Sequence, residues 1–184
     1  MASVNNPPSR SLSMIFYRMA KSARFDGATF RSLREDASAT GQAVLALALA
    51  GFSLGLGYRA WTGDDFYGIL LGGVLGIVLG FFVGFVWLSL TFLVVTRIFK
   101  GASSFWNLGR PIFFASSPAV IFLLMLIPGS PAALIVYYIA LIWIALANVF
   151  AIKNAMGFDN QRSFMTFIIV AFVLLVVDAL VHSL

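Results

Sequence analysis

The sequence predicts an all-α fold, a polytopic integral membrane protein with a five-transmembrane-helix bundle and an N-terminal cytoplasmic interfacial amphipathic helix. Composition is the first reason, because 61% of the 184 residues are hydrophobic and only 10% are charged. A soluble domain is about half apolar and about a quarter charged, so we expect the surplus apolar surface to face lipid. The second reason is that the apolar runs are continuous rather than alternating, which favours helices over the strands of a barrel.

Five segments are long enough to cross a bilayer, whose hydrocarbon core of about 30 Å needs roughly 20 helical residues. The predicted spans cover residues 39–58, 66–96, 111–127, 131–152 and 163–181. The spans divide the chain into a disordered polar tail (1–10), a cytoplasmic amphipathic segment (11–38) and a transmembrane domain (39–184). The tail lacks the apolar stretch of a cleavable signal peptide.

The placement of lysine and arginine predicts the orientation, since these residues concentrate on the cytoplasmic side of a membrane protein. Eleven of the twelve fall on one side of the predicted spans: Arg10, Arg18, Lys21, Arg24, Arg31, Arg34, Arg97, Lys100, Arg110, Lys153 and Arg162. Only Arg59 falls on the other side. We therefore expect a cytoplasmic N-terminus and a C-terminus on the opposite side. The net charge of +5 is explained by this bias and by contact with anionic lipid, and no nucleic-acid partner is predicted.

The segment before the first span has apolar residues at helical spacing, alternating with basic ones. Its apolar positions are Leu12, Ile15, Phe16, Met19, Phe30 and Leu33. A basic amphipathic helix of this kind lies in the headgroup plane. We predict an interfacial anchor, and a docking surface for a cytoplasmic partner is the alternative. The predicted lipid or interface residues are Arg18, Lys21 and Arg24, together with Trp61 and Trp106 in the aromatic belts.

The second span carries glycine at every fourth position: Gly68, Gly72, Gly76, Gly80 and Gly84. Small residues allow transmembrane helices to approach closely, so this track predicts a helix-packing surface. The first span offers Gly51 and Gly55 as a match. Two interpretations stay open, because the track can pack within the chain or against a partner protein or second copy.

The predicted spans place no titratable group at mid-membrane. Asp178 is expected near the far interface and Asn148 near the cytoplasmic side. The chain has no cysteine and one histidine, and the pair Asp64–Asp65 is interpreted as part of a solvated loop. General acid–base catalysis and metal binding need clustered, positioned groups. We therefore predict no catalytic, metal or cofactor site, and a protein that is not an enzyme.

Pro118 falls inside the third predicted span and is expected to kink it, because proline lacks the backbone N–H that continues a helix. We expect Ser116, Ser117 or a neighbouring helix to satisfy the freed carbonyl group. The alternative is a midplane transport site of the kind that broken helices form. The stretch IPGSP at 127–131 predicts a tight turn that joins the third and fourth spans.

Five blocks of sequence, in this order, resemble bacterial members of the Yip-domain family, relatives of the eukaryotic Ypt/Rab-interacting membrane proteins. They are ARFD (23–26), FRSLREDASATGQA (30–43), WLSLTFLVVTRIF (87–99), LGRPIFFASSP (108–118) and IWIALANVFAIKNAMGFDNQRSF (142–164). The resemblance implies five spans, a cytoplasmic N-terminus and no known enzymatic activity. It also implies contacts with other membrane proteins, here in the bacterial cytoplasmic (inner) membrane.

The leading functional hypothesis is a non-enzymatic interaction or scaffold module of Yip-like type. Its expected partners are membrane lipids and other membrane proteins or a second copy of itself. The first alternative is an accessory subunit of a larger energy-transducing membrane complex. The second is a small transporter or channel for an apolar or lipid-like solute.

Overall fold

The computed structural model describes residues 12–127 and 132–183 as an all-α bundle. The predicted disordered tail at 1–10 and most of the predicted turn at 127–131 lie outside the described residues. The helices are α1 (Leu12–Ala23), α2 (Gly27–Glu35), α3 (Thr40–Trp61), α4 (Phe66–Leu93), α5 (Phe105–Ala115), α6 (Ala133–Met156) and α7 (Asn160–His182). A 3₁₀ turn (Ala37–Ala39) precedes α3, a π-helical turn (Val94–Ile98) extends α4, and a 3₁₀ helix (Ser117–Leu126) continues α5.

Among the described residues, five helical segments are long and apolar enough to cross a membrane, which confirms the predicted fold class. They are Ala37–Trp61, Phe66–Ile98, Phe105–Leu126, Ala133–Met156 and Asn160–His182. We call the end of the bundle that carries Arg97, Lys153 and Arg162 the basic end. The other end carries the turn between α3 and α4.

The third span begins at Phe105, not at residue 111, and this moves Arg110 from the expected loop into a helix. Ser104 is the reason for the earlier start, because its Oγ accepts a hydrogen bond from the Asn107 backbone N–H at 3.2 Å and caps the helix. Pro111 therefore lies inside α5 rather than at its first turn. The prediction that Arg110 is a loop residue is wrong, since the residue is only 3% exposed.

The third span changes from an α-helix to a 3₁₀ helix at Pro118, which lies in the first turn of the 3₁₀ segment. Proline has no N–H to donate to the carbonyl four residues earlier, which belongs to Phe114. The Ser117 hydroxyl donates to that carbonyl instead, and the Ser116 hydroxyl donates to Phe113 O at 2.6 Å. These bonds satisfy the backbone at the break from within the same segment.

The third span is also the centre of the bundle. Of the residues in its most apolar stretch 72% are buried, compared with 17% for the span that contains α4 and 11% for α7. Phe113 and Phe114 belong to a large cluster with residues of α1, α2, α3 and α6 at the basic end. Phe122 and Met125 belong to a smaller cluster with α3 and α6 towards the other end.

Helices α1 and α2 form a hairpin, which we call the N-terminal hairpin (residues 12–35), that packs on α5 and α6. Its buried apolar residues are Ile15, Met19, Phe30 and Leu33, whereas Leu12 and Phe16 are exposed. The sequence placed these α1 positions on one apolar face, and the structure divides them between the bundle and the outside. The Trp143 indole N–H donates to Ala23 O at 2.7 Å and fixes the hairpin bend on α6.

Candidate functional site

The predicted helix-packing glycines of α3 and α4 lie against each other. We call Gly51, Gly55, Gly72, Gly76 and Gly80 the glycine seam. A Cβ atom on Gly76 would lie 2.9 Å from Gly55 Cα, and one on Gly80 would lie 3.0 Å from Gly51 Cα. Such distances are too short for a carbon contact, so the two backbones touch and no side chain fits between them. The seam is a contact within one chain.

The two ends of the glycine track face side chains, whereas the seam glycines face backbone. A Cβ on Gly84 would meet the flexible side chain of Leu47 at 2.7 Å. A Cβ on Gly68 would meet the Asp64 carboxylate at 2.9 Å. Side chains can shift where a backbone cannot, so within the glycine track the strict requirement for glycine is confined to Gly72, Gly76 and Gly80.

The outer sides of α4 and α7 carry apolar side chains that are largely exposed. We call this set the outer surface: Val74, Val78, Phe82, Phe172, Leu175 and Leu180, each at least 56% exposed. A shallow groove on α4 adjoins it, lined by Phe81, Phe82, Phe85, Val86, Ser89 and Leu90. A helix that is apolar on its exposed side is suited to lipid or to a membrane-embedded partner.

Hydroxyl groups inside the spans donate to carbonyls of their own helices. Ser53 donates to Leu49 O at 2.8 Å, and Thr91 donates to Trp87 O at 2.7 Å. Thr166 donates to Arg162 O at 2.8 Å. Back-bonding of this kind uses the single hydroxyl donor of each residue within its own helix.

Asn148 is the buried polar side chain of α6. Its Nδ2 donates to Ile144 O at 2.9 Å, but its Oδ1 is buried and accepts no hydrogen bond. Asp178 is different, since its side chain is 74% exposed at the end of α7 and lies 3.4 Å from the ring of His182. Within residues 12–127 and 132–183, no three His, Asp or Glu side chains are grouped so that they could share a metal ion.

The predicted solvated pair Asp64–Asp65 has structural contacts in the turn between α3 and α4. The Asp65 side chain accepts from the Gly68 backbone N–H at 2.8 Å and caps α4. The Asp64 carboxylate lies 3.1 Å from the Arg59 guanidinium. Arg59 also places the methylene groups of its side chain over Gly72, so its charged head reaches outward from the glycine seam.

The predicted lipid-facing basic residues of α1 separate into two kinds. The Arg18 guanidinium lies 2.6 Å from Asp36 and 2.9 Å from Gln42 Oε1, so it is paired within the chain. Lys21 lies over the Tyr17 ring at 5.8 Å, and Arg24 is exposed. Burial raises the pKa of Asp36, but hydrogen bonds from Ser38 and Arg18 outweigh it and leave this pKa below its ordinary value.

The two predicted interface tryptophans are partly exposed at opposite ends of the bundle. Trp61 is 42% exposed and stacks on Tyr137 at a centroid distance of 6.4 Å. Trp106 is 36% exposed and lies edge-on to Phe85 and Phe113, each about 6.2 Å away. Their positions fit aromatic belts at the two faces of a bilayer.

Arg110 is the functional candidate that sequence reasoning missed. Its Nε donates to Trp106 O at 2.9 Å and its Nη2 donates to Asn107 Oδ1 at 2.7 Å. Its Nη1 is buried and has no acceptor. The described ion pairs do not include Arg110, although Asp36 is near enough for its charge to act on the guanidinium. The Ser104 cap, which places Arg110 inside the span, was the signal that could have revealed it.

The comparisons with known proteins agree with this architecture. The family model described as Yip1 domain matches residues 22–181, which includes α2 to α7 and the end of α1. Neither the curated proteins nor the solved structures gave a significant match. The family match covers five apolar spans and the bend of the N-terminal hairpin, and the chain therefore belongs to the Yip1 domain family of membrane proteins.

Proposed function

We propose that this protein is a non-enzymatic scaffold of the membrane, which associates with other membrane proteins or with a second copy through the outer surface of α4 and α7. The glycine seam supports this proposal because α3 already occupies the closely packing side of α4. The opposite side of α4 and the second half of α7 remain open to a lateral partner. Both carry mainly exposed apolar side chains.

The polar groups inside the spans favour a scaffold role rather than that of a conducting pore. Ser53, Thr91 and Thr166 are occupied by carbonyls of their own helices. The carboxylates outside the N-terminal hairpin cap helices or pair near helix ends. Chemistry at mid-membrane would need such groups turned toward a shared cavity.

The orientation is part of the proposal. The basic end carries Arg97 in the π-helical turn after α4, Lys100 in the loop before α5 and Lys153 in the last turn of α6. The N-terminal hairpin packs at the same end. A cytoplasmic basic end follows from the preference of lysine and arginine for that side. The C-terminus then lies on the opposite side, and the proposed location is the cytoplasmic (inner) membrane of a bacterium.

A photoreactive side chain at the outer surface tests the scaffold role. Benzoylphenylalanine in place of Phe82 on α4 or Phe172 on α7 reports what lies beside each helix in native membranes. Phe113 and Phe122 are matched controls because each is 1% exposed. We expect discrete protein adducts from the two outer positions and none from the controls. Adducts to lipid alone at both outer positions would contradict the proposal.

A small transporter for an apolar solute is the second candidate, and the break in the third span favours it. Transport proteins form substrate sites where a membrane helix is interrupted near mid-membrane. Here the interruption lies between Ala115 and Ser117, in the most enclosed span. Flux of apolar solutes into liposomes that contain the pure protein tests this role, with Pro118→Ala as the variant expected to change it.

A further inference from the structure

The first turn of α5 combines open hydrogen-bond donors with a buried positive charge. The helix begins after Ser104, and the first N–H groups of any α-helix have no partner within it. Ser104 Oγ accepts a hydrogen bond from the N–H of Asn107, and Ser104 O accepts one from the N–H of Leu108. Ser104 and Trp106 are exposed, so this turn is accessible from the basic end.

The Arg110 side chain points back to this turn rather than away from it. Its bonds to Trp106 O and Asn107 Oδ1 place the guanidinium beside the beginning of the helix. The charge of the guanidinium is shared among its three nitrogens, so it acts at Asn107 as well as at the buried Nη1. The partial positive charge of the helix N-terminus has the same sign and adds to it.

This positive charge is not balanced by a direct ion pair in the described chain. Asp36 is the acid that acts on Arg110, but its carboxylate lies 2.6 Å from Arg18 and accepts two bonds from Ser38. The Asp36 carboxylate is therefore already paired with Arg18, and the described ion pairs give Arg110 no carboxylate of its own. A buried cation without a partner is strongly unfavourable, so an additional anion would stabilise the site.

We propose that the first turn of α5, with Asn107 and Arg110, binds a phosphate group at the basic end of the bundle. Phosphate suits the site because backbone N–H groups at a helix N-terminus and a guanidinium are the two donors that hold phosphates in proteins. The phosphate can belong to a lipid headgroup or be free in solution. This inference is independent of the scaffold role, since it concerns α5 and not the outer surface.

The Asn107→Asp variant separates this site from a merely structural arginine. The new carboxylate would occupy the position of Oδ1, 2.7 Å from Arg110 Nη2, and form the missing ion pair. We expect the unliganded variant to unfold at a higher temperature than the parent and to lose its response to phosphate. Asn107 is half-buried, so the isosteric change is compatible with folding.

The experiment measures the unfolding midpoint of the full-length protein in a neutral detergent. The probes are inorganic phosphate and phosphatidic acid in mixed micelles, with chloride as the salt control. Arg110→Met is expected to lower the apparent affinity for the probe about tenfold or more, because a hydrogen bond to a charged group is lost. Arg162→Met is the matched control, because Arg162 is exposed in the first turn of α7 and forms only a 3.7 Å pair with Asp159.

A saturable rise in the midpoint that Arg162→Met retains and Asn107→Asp loses supports the site. A response to inorganic phosphate alone identifies a soluble anion, and a response restricted to phosphatidic acid identifies a headgroup. The proposal is overturned if neither probe raises the midpoint, or if Arg162→Met and Asn107→Asp weaken the response equally. If Arg110→Met does not fold, the loss or retention of the phosphate response in Asn107→Asp tests the site by itself.

Discussion

Helices α4 and α7 contain the two least buried spans of the bundle, but they are held in different ways. Helix α4 touches α3 through backbone at the glycine seam. Helix α7 is attached through its first half, where Ser163, Thr166 and Val170 are fully buried. From Leu175 to Ser183 every residue of α7 is exposed.

The difference shows what attaches a helix to a bundle in lipid. Apolar side chains gain little free energy by leaving lipid for a protein neighbour. Close packing of small residues and specific contacts therefore determine how firmly a helix is held. Helix α4 has these contacts along most of its length on one side. Helix α7 has them for only about three turns, in which Phe167 lies 5.2 Å from Trp87 of α4. The second half of α7 is therefore the part most available to another protein.

The largest effect is expected from a bulky residue in the glycine seam. Gly76→Leu would place a side chain where Gly55 Cα lies 2.9 Å from the new Cβ, and the backbones cannot yield without separating α3 from α4. We expect a loss of more than about 3 kcal/mol in the free energy of unfolding. Unfolding in mixed detergent micelles measures it.

Gly41→Ala is the control for that substitution, because nothing lies within 4 Å of a Cβ at Gly41 in the same pair of helices. It is expected to stabilise α3 by up to about 1 kcal/mol through helix propensity. A Gly76→Leu protein that stays folded but loses its partners would instead assign the seam to an interface between proteins.

A smaller effect is expected where the N-terminal hairpin meets α3. Asp36→Asn removes the charge from the pair with Arg18, and we expect a loss of about 1–2 kcal/mol because both side chains are largely buried. The pKa of Asp36 is lowered in the folded protein, so its stabilisation is complete above the unfolded pKa of about 3.9. It is lost as pH falls through the lower folded pKa.

A pH titration of the unfolding free energy checks this sign by comparing the parent with Asp36→Asn. The difference between the two proteins should be constant near neutral pH and disappear in acid. A difference that grows as the pH falls would contradict the assignment of Asp36 as an ion-paired carboxylate.

Two tryptophans, Trp143 on α6 and Trp87 on α4, differ in whether the indole N–H has a hydrogen-bond acceptor. The indole N–H of Trp143 donates to Ala23 O, whereas the indole N–H of Trp87 is buried without an acceptor. Trp143→Phe leaves a carbonyl unpaired and should cost about 1–2 kcal/mol, mostly as loosening of the hairpin. Trp87→Phe removes an unsatisfied donor beside α7 and should be closer to neutral. Hydrogen exchange at α1 and α2 distinguishes the two variants.

The smallest effect is expected on the free half of α7. Leu175 is 66% exposed, so Leu175→Ala should change the free energy of unfolding by less than about 0.5 kcal/mol. Val170→Ala, in the attached half of the same helix, is the matched variant and should cost more. Equal losses at the two positions would mean that both halves of α7 are packed alike.

Much of the fold could be predicted from the sequence because apolar length and glycine spacing act locally. The five spans and the position of the break at Pro118 follow from such patterns. The third span begins at Phe105 and not at residue 111, because the Ser104 cap determines where the helix begins. Local patterns also cannot show that α1 would bury Ile15 and expose Phe16, since only the docking on α5 and α6 decides it.

The candidate site was less predictable for the same reason. Arg110 is one of eleven basic residues assigned to one side by count, and counting cannot distinguish a loop arginine from one that is buried inside a span. Arg18 likewise carries no local sign that its guanidinium pairs with Asp36, eighteen residues away. Charges that act through tertiary contacts need the structure.

Disulfide trapping across α3 and α4 tests the central claim, that the glycine track packs within the chain. The protein has no cysteine, so Leu47→Cys and Gly84→Cys introduce the only pair, at positions where Leu47 Cγ, the place of a cysteine Sγ, lies 3.4 Å from a Gly84 Cβ. On oxidation in native membranes, the double variant should form a bond within one chain and remain monomeric on a non-reducing gel. A disulfide-linked dimer, from the double variant or from Gly84→Cys alone, would contradict the account.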